Sequence, residues 1–171
     1  ASLTFQWQAE MEDKFGLDFE FNKSVHHWTT YDRIIASIDT AKNNKHIEEI
    51  KTVKWDLLII DEVQKLKNRS TKAHKAFRDV LANNKIFLSA TPIQNTLLDL
   101  YNIIDLLDPG YLASSPHEFK YLYQADDKGL KLTNQSMLNS KLKGIMSRST
   151  RKETGLEFTK RNVVTTLIKE S

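Results

Sequence analysis

This chain of 171 residues contains three short, largely apolar runs, and segments of helical periodicity separate them. This pattern limits the possible folds of the chain more than any other feature of its sequence. The runs occupy residues 34–38, 57–60 and 86–88, and the segments between them carry apolar side chains three or four residues apart. Short strands that are apolar on both faces are typical of a parallel sheet covered by helices on both sides. The sequence therefore predicts an α/β domain.

The rhythm of strands stops after residue 110, where Asp-Pro-Gly follows the predicted helix 96–107. Residues 116–147 have the spacing of helices, and only residues 163–168 are predicted to form a late strand. We therefore divide the chain into residues 1–112, which contain the sheet, and residues 113–171, a mostly helical extension.

Composition excludes several classes of protein and suggests a partner. The chain has no cysteine, which excludes disulfide frameworks and thiolate zinc sites, and no apolar run approaches the roughly 20 residues that span a membrane. The net charge of +3 is uneven: residues 1–127 carry 15 Lys and Arg against 19 Asp and Glu, whereas residues 128–171 carry 10 against 3. A basic region beside a mildly acidic one suggests a polyanionic partner, although a solvated lysine-rich surface explains the same pattern.

Polar side chains stand where each apolar run ends. Asp61 and Glu62 follow the second run, Ser89 and Thr91 follow the third, and Ser37 lies near the end of the first. Because the carboxyl ends of parallel strands meet at one edge of a sheet, where ligands bind in such folds, we expect these side chains to lie along one edge.

An acidic pair at a strand end can divide the work of nucleotide hydrolysis. One carboxylate can hold Mg²⁺ through water, and its neighbour can orient or deprotonate the water that attacks a γ-phosphate. Small hydroxyl residues on the next loop, here Ser89 and Thr91, can relay movement through hydrogen bonds. Simpler interpretations stay open: an acidic first helical turn for Asp61 and Glu62, and an ordinary turn before Pro92 for the hydroxyl residues.

The two loops resemble motifs II and III of superfamily 2 helicases. Residues 61–64 read DEVQ and are followed by LKN at 66–68, while residues 88–95 read LSATPIQN, the extended motif III of Swi/Snf-type DNA translocases. Further resemblances lie in motif Ia around Trp7, motif Ib at 35–39, the helix after motif III at 99–110, and the stretch before the second lobe at 148–161, which is most similar to bacterial, RapA-like members. Nearly the whole chain therefore resembles the first RecA-like lobe of this family, a parallel sheet flanked by helices.

The resemblance implies a role in ATP hydrolysis for five residues. Asp61 would coordinate Mg²⁺ through water, and Glu62 would activate the attacking water. Gln64 stands where many relatives have His and would link the nucleotide site to motif III, where Ser89 and Thr91 would form the coupling point. ATP and Mg²⁺ would then be the cofactors of the full-length protein.

The resemblance also implies contacts with double-stranded DNA. Ser37, Gln94 and Asn95 would approach the phosphate backbone of one strand, and Arg148 and Arg151 would lie near the joint between the two lobes. The implied function is ATP-driven translocation on DNA or nucleoprotein remodelling, with the second RecA-like lobe as a partner and no membrane partner. In a bacterium this implies a cytoplasmic, nucleoid-associated location. The alternative is a catalytically inactive RecA-like module that binds DNA or protein.

One element of the family has no counterpart in the sequence: the phosphate-binding loop GxxxxGK[ST], which lies upstream of motif Ia. The chain thus looks truncated, and residues 113–171 would contain the start of the linker to the second lobe. We expect these 171 residues alone to hydrolyse no ATP, because the lysine and the amides that cradle the phosphates are missing. We also expect strand 86–88 to present an open edge through which the chain could self-associate.

Three other side chains have simpler predictions. Trp7 is expected to be a packing residue of the first helix, and Trp28 is expected to lie in the core. His74 is expected on the exterior of the predicted helix 70–81.

Overall fold

The computed structural model describes residues 2–91, 96–124 and 134–147. The elements in chain order are α1 (Ser2–Phe15), β1 (Glu20–Phe21), α2 (His27–Thr30), β2 (Ile34–Ile35), α3 (Ile38–Ala41), α4 (Asn44–Thr52), β3 (Trp55–Ile60), a 3-10 helix (Val63–Leu66), α5 (Lys72–Arg78), β4 (Ala82–Phe87), α6 (Leu97–Leu107), α7 (Pro116–Tyr123) and α8 (Gln135–Ile145). The predicted strand 163–168 falls outside the described residues. No helix within them is both long and apolar enough to cross a bilayer.

Two parallel strand pairs carry the α/β character that the sequence predicts. In the longer pair, Trp55 of β3 lies opposite Ala82 of β4 and Ile60 lies opposite Phe87. In the shorter pair, β1 runs parallel to β2. Since β3 and β4 run in the same direction, the loops that follow them leave the sheet at the same edge.

Capping side chains determine the starts of two helices that the hydrophobic periodicity of the sequence did not predict. The apolar run 34–38 forms a strand of only two residues, because the Ser37 Oγ accepts a hydrogen bond from the Thr40 backbone N–H at 3.0 Å and starts α3. The helical segment that follows this run is divided, because the Asn43 side chain accepts a hydrogen bond from the Lys45 N–H and starts α4. Short polar side chains that satisfy the free N–H groups of a first turn favour such starts.

Two clusters of buried apolar side chains form the core, and α6 contributes to both. Ile103 and Leu106 of α6 face the cluster beneath the strands, which also contains Trp28, as predicted. Leu100, Tyr101 and Ile104 face the second cluster, which the loop after α6 and the helices α7 and α8 complete with Leu112, Ala113, Phe119, Tyr123 and Leu138. A helix that is apolar on most sides is typical of this internal position.

One face of the β3–β4 pair remains exposed within the described residues. Leu57 of β3 and Ile86 of β4 are each 46% exposed. β3 and β4 pair only with each other in this part of the chain, so the outer edges of both strands lack a strand partner there. Self-association through the edge of β4 stays a prediction.

His74 is buried, so the prediction of an exterior position on the helix is wrong. Its side chain is 2% exposed, and Nδ1 lies 2.7 Å from the Leu66 carbonyl oxygen. Periodicity placed it outside because His is polar, but the carbonyl of the preceding 3-10 helix provides a buried hydrogen-bond acceptor. Nδ1 therefore carries the proton, and none of the described residues forms a hydrogen bond with the buried Nε2.

Burial lowers the pKa of His74 from its ordinary value, with the nearby Arg69 guanidinium acting in the same direction and the Leu66 carbonyl opposing it. The folded state thus favours the neutral ring, and the unfolded state binds more protons below a pH of about 6.5. We expect the free energy of unfolding to fall as the pH drops below that value, by at most about 1.4 kcal/mol per pH unit for one proton.

Chemical unfolding of the 171-residue chain between pH 5 and 8 measures this loss. His74→Gln can donate to the same carbonyl but does not titrate, so its stability should depend less on pH. His117→Gln changes an exposed imidazole on α7 and serves as the control. Equal pH dependence in both variants would contradict the assignment to His74.

Candidate functional site

The turn after β3 is bound tightly to the end of β4. The Leu88 N–H donates to the Ile60 carbonyl at 2.8 Å, and the Val63 N–H donates to the Leu88 carbonyl at 3.0 Å. Between these two bonds Glu62 has the left-handed backbone conformation, with φ 53° and ψ 44°. That conformation costs a non-glycine residue about 1–3 kcal/mol and is retained where surrounding contacts impose it.

A continuous series of hydrogen bonds joins the two polar loops that the sequence singled out. The Gln64 Nε2 donates to the Glu62 Oε2, and the Ser89 Oγ donates to the Gln64 Oε1 at 2.7 Å. The Thr91 backbone N–H then donates to the Ser89 Oγ at 3.2 Å. The structure thus brings together Glu62, Gln64, Ser89 and Thr91, although β4 and α5 separate their two segments in the sequence.

Asp61 stands beside this series and has both carboxylate oxygens engaged. Its Oδ1 accepts from the Glu62 N–H at 2.8 Å, and its Oδ2 accepts from the Trp7 Nε1–H at 3.0 Å. The described residues contain no cluster of three or more potential metal-binding side chains. A single half-buried carboxylate suits Mg²⁺, which keeps several waters and takes one or two carboxylates together with phosphate oxygens.

The segment after the 3-10 helix is held from behind by two buried side chains. The His74 ring donates to the Leu66 carbonyl, and the Asn102 Nδ2 donates to the Lys67 carbonyl at 2.8 Å. Asn102 is 7% exposed and belongs to α6, which begins soon after the second polar loop. The first bond attaches the Asp61 loop to α5, and the second attaches it to α6.

Ion pairs reinforce the same attachment. The Lys67 Nζ lies 3.2 Å from the Asp99 Oδ2, and the Arg69 guanidinium lies 3.0 Å from the Asp105 Oδ2. The Arg69 guanidinium also lies 5.8 Å from the ring centroid of Tyr101, within the range of a cation–π contact. The sequence analysis missed these contacts; the LKN letters at 66–68 were the signal that could have directed attention to them.

The structure describes only some of the residues that are predicted to contact DNA. Ser37 is exposed, and its hydroxyl caps α3. Gln94 and Asn95 lie outside the described residues, as do Arg148 and Arg151.

Comparison of the sequence with known protein families covers the site residues described above. The model of the SNF2-related domain matches residues 6–170, which is nearly the entire chain. This chain belongs to the SNF2-related domain family. The hydrogen-bonded loops described above lie within the matched range of this SNF2-related domain.

Individual relatives agree with the family match. The ATP-dependent helicase YqhH of Bacillus subtilis is 36% identical over 171 residues, which is 100% of this chain and 30% of that protein. The human TATA-binding protein-associated factor 172 is 38% identical over 89 residues, 52% of this chain and 5% of that protein. This SNF2-related chain thus spans about a third or less of the length of these relatives.

A solved structure gives the same result for the fold. The Sulfolobus solfataricus SWI2/SNF2 ATPase core in complex with dsDNA is similar with a TM-score of 0.74 and 25% identity, covering 91% of this chain and 33% of that one. This likeness confirms the RecA-like α/β fold predicted from the sequence.

Proposed function

We propose that this SNF2-related chain supplies part of the first RecA-like lobe of an ATP-dependent translocase on double-stranded DNA. The observation that carries the proposal is the hydrogen-bonded series from Glu62 through Gln64 to Ser89. It links a carboxylate suited to nucleotide hydrolysis with the loop that leads towards Gln94 and Asn95. The helicase name of the Bacillus relative supports the ATPase, and the DNA complex of the Sulfolobus protein supports the partner.

In this proposal the acidic pair performs the hydrolytic chemistry. Asp61 would hold Mg²⁺ through water, and the ion would neutralise charge on the phosphates of ATP. Glu62 would orient and deprotonate the attacking water. Its left-handed backbone and its bond to Gln64 fix the carboxylate before the reaction begins, which is the arrangement that general-base catalysis requires.

Gln64, Ser89 and Thr91 would transmit the state of the nucleotide site to the DNA-contacting loop. Gln64 contacts both sides, because its amide nitrogen donates to Glu62 and its amide oxygen accepts from Ser89. A change at Glu62 on phosphate release would therefore alter the position of Ser89 and, through its backbone contact, of Thr91.

DNA would bind at the edge of the sheet where the strands end. Ser37 follows β2 and is exposed, and Gln94 and Asn95 follow β4 in the sequence. The excess of Lys and Arg in residues 128–171 favours a phosphate backbone as the partner. The proposal also includes a second RecA-like lobe as a partner and a domain boundary within this chain near residue 112. In a bacterium the protein would have a cytoplasmic, nucleoid-associated location. The open edge of β4 adds possible self-association.

ATP hydrolysis by the whole protein, measured with and without linear double-stranded DNA, tests this function. We expect DNA to stimulate turnover, because hydrolysis is coupled to movement on DNA in this proposal. Gln64→Leu removes both hydrogen bonds that Gln64 makes in the series, so it should abolish most of the stimulation while turnover without DNA persists.

Gln135→Leu, at the exposed start of α8, is the matched control and should keep the stimulation. Turnover that does not respond to DNA in the unaltered protein would count against the translocase. Full stimulation in Gln64→Leu would count against the relay alone.

A further inference from the structure

Trp7 contacts the candidate site through its polar atom. The side chain is half-buried, neither core cluster includes it, and its Nε1–H points at the Asp61 Oδ2, 3.0 Å away. The sequence analysis treated Trp7 as a packing residue and missed this contact. Trp7 and Asp61 are 54 positions apart in the sequence, so this hydrogen bond is a tertiary one.

The other two indoles show what a structural tryptophan does in this fold. The Trp28 Nε1 donates to the His46 Nδ1 at 2.9 Å, and the Trp55 Nε1 donates to the Ile50 carbonyl at 3.0 Å. These two rings pack edge to face, with centroids 6.3 Å apart, within the apolar cluster under the strands. Trp7 differs because its acceptor is the carboxylate proposed to hold Mg²⁺.

Contacts elsewhere on α1 keep the helix in place without involving Trp7. Phe5 packs edge to face on Phe21 with ring centroids 4.7 Å apart, and the Gln8 Nε2 donates to the Phe19 carbonyl at 2.6 Å. Attachment to the β1 region is therefore provided by neighbours of Trp7. The indole hydrogen bond is available for another task, namely orientation of Asp61.

We propose that Trp7 is a positioning residue that holds the Asp61 carboxylate in the orientation used for Mg²⁺, and this inference rests on the proposed ATPase function. An aspartate has three staggered χ1 positions, and the donors on Oδ1 and Oδ2 together select one of them. Without the indole donor, the bond from the Glu62 N–H is the one that remains among the described residues, and it constrains a single oxygen. Hydrogen bonds to metal-ligating carboxylates commonly tune metal affinity in this way.

The contact itself is tested on the 171-residue chain labelled with ¹⁵N in its three tryptophan indoles. Trp→Phe variants assign the three N–H signals. Asp61→Asn should move the Trp7 signal and leave the Trp28 and Trp55 signals in place, because of the three indoles Trp7 is the one that donates to that side chain. A Trp7 signal that does not respond to Asp61→Asn would overturn the inference.

The role is tested by the Mg²⁺ dependence of ATP turnover in the whole protein. Trp7→Phe keeps an aromatic ring at this position and removes the donor. It should raise the Mg²⁺ concentration that gives half of the maximal rate. The lower bound of the increase is about threefold, because three χ1 rotamers of Asp61 would become accessible. The upper bound is about tenfold, a typical loss of metal affinity when a hydrogen bond to a ligating side chain is removed. The maximal rate at saturating Mg²⁺ should stay within about twofold, because Glu62 is untouched.

Phe5→Leu is the matched control, since it weakens the packing of α1 but leaves the indole donor in place. It should leave the Mg²⁺ dependence unchanged. An equal increase in both variants would mean that α1 acts only as packing and would overturn the inference. If the unaltered protein hydrolyses no ATP while the Trp7 signal still responds to Asp61→Asn, the proposed function fails and the contact stands.

Discussion

Glu62→Gln should reduce ATP turnover by the whole protein by about 100- to 10,000-fold, the usual contribution of a positioned general base. The amide can still accept the hydrogen bond that the Gln64 Nε2 donates, so the turn and the relay should keep their geometry. The amide cannot accept a proton from the attacking water, so only this proton transfer should be lost. Steady-state phosphate release at saturating ATP and DNA measures the change.

Two controls separate loss of chemistry from loss of fold. Glu12→Gln makes the same substitution on the exposed face of α1 and should leave turnover unchanged. Binding of double-stranded DNA by Glu62→Gln, measured by fluorescence anisotropy, should match the unaltered protein. Turnover by Glu62→Gln within about tenfold of normal would exclude Glu62 as the general base.

Phe119→Ala should lower the free energy of unfolding by about 3–5 kcal/mol, the largest stability effect we expect from a single change. Phe119 is completely buried in the second cluster, with its ring 4.7 Å from that of Tyr101 and 5.1 Å from that of Tyr123. Truncation removes these contacts and leaves a cavity between α6 and α7. Urea unfolding of the 171-residue chain, followed by far-ultraviolet circular dichroism, measures the loss.

Phe15 offers a matched control for this change. It is 66% exposed at the end of α1, so Phe15→Ala should change stability by no more than about 0.5 kcal/mol. A loss below about 1 kcal/mol in Phe119→Ala would show that the second cluster contributes little to the folded state.

The attachment between the Asp61 loop and α6 gives the second cluster a functional meaning within the proposal. α6 contacts residues 66–69 through Asn102, Asp99 and Asp105, and it contributes Leu100 and Ile104 to the second cluster. A rearrangement of the loop on hydrolysis would therefore act on a well-packed helix, which resists local deformation. A rigid element with several attachments is the kind of connection that can carry coupling between sites.

Local sequence signals predicted the elements whose residues lie close together along the chain. The apolar run 57–60 lies within β3, which begins two residues earlier at Trp55 and ends at Ile60, and α6 starts after the capping Thr96. Thr71 caps α5. Boundaries failed where Ser37 and Asn43 started new helices, because capping competes with periodicity over only a few residues.

The sequence by itself determined the fold class, the order of the polar residues at the strand ends and the chemistry available to Asp61 and Glu62. The tertiary structure alone decided that Trp7 donates to Asp61, that His74 is buried and that Asn102 reaches the Lys67 carbonyl 35 residues away. The reason is physical. Secondary structure depends on neighbours within a few residues, whereas a hydrogen bond between distant residues depends on how whole helices and strands pack against one another.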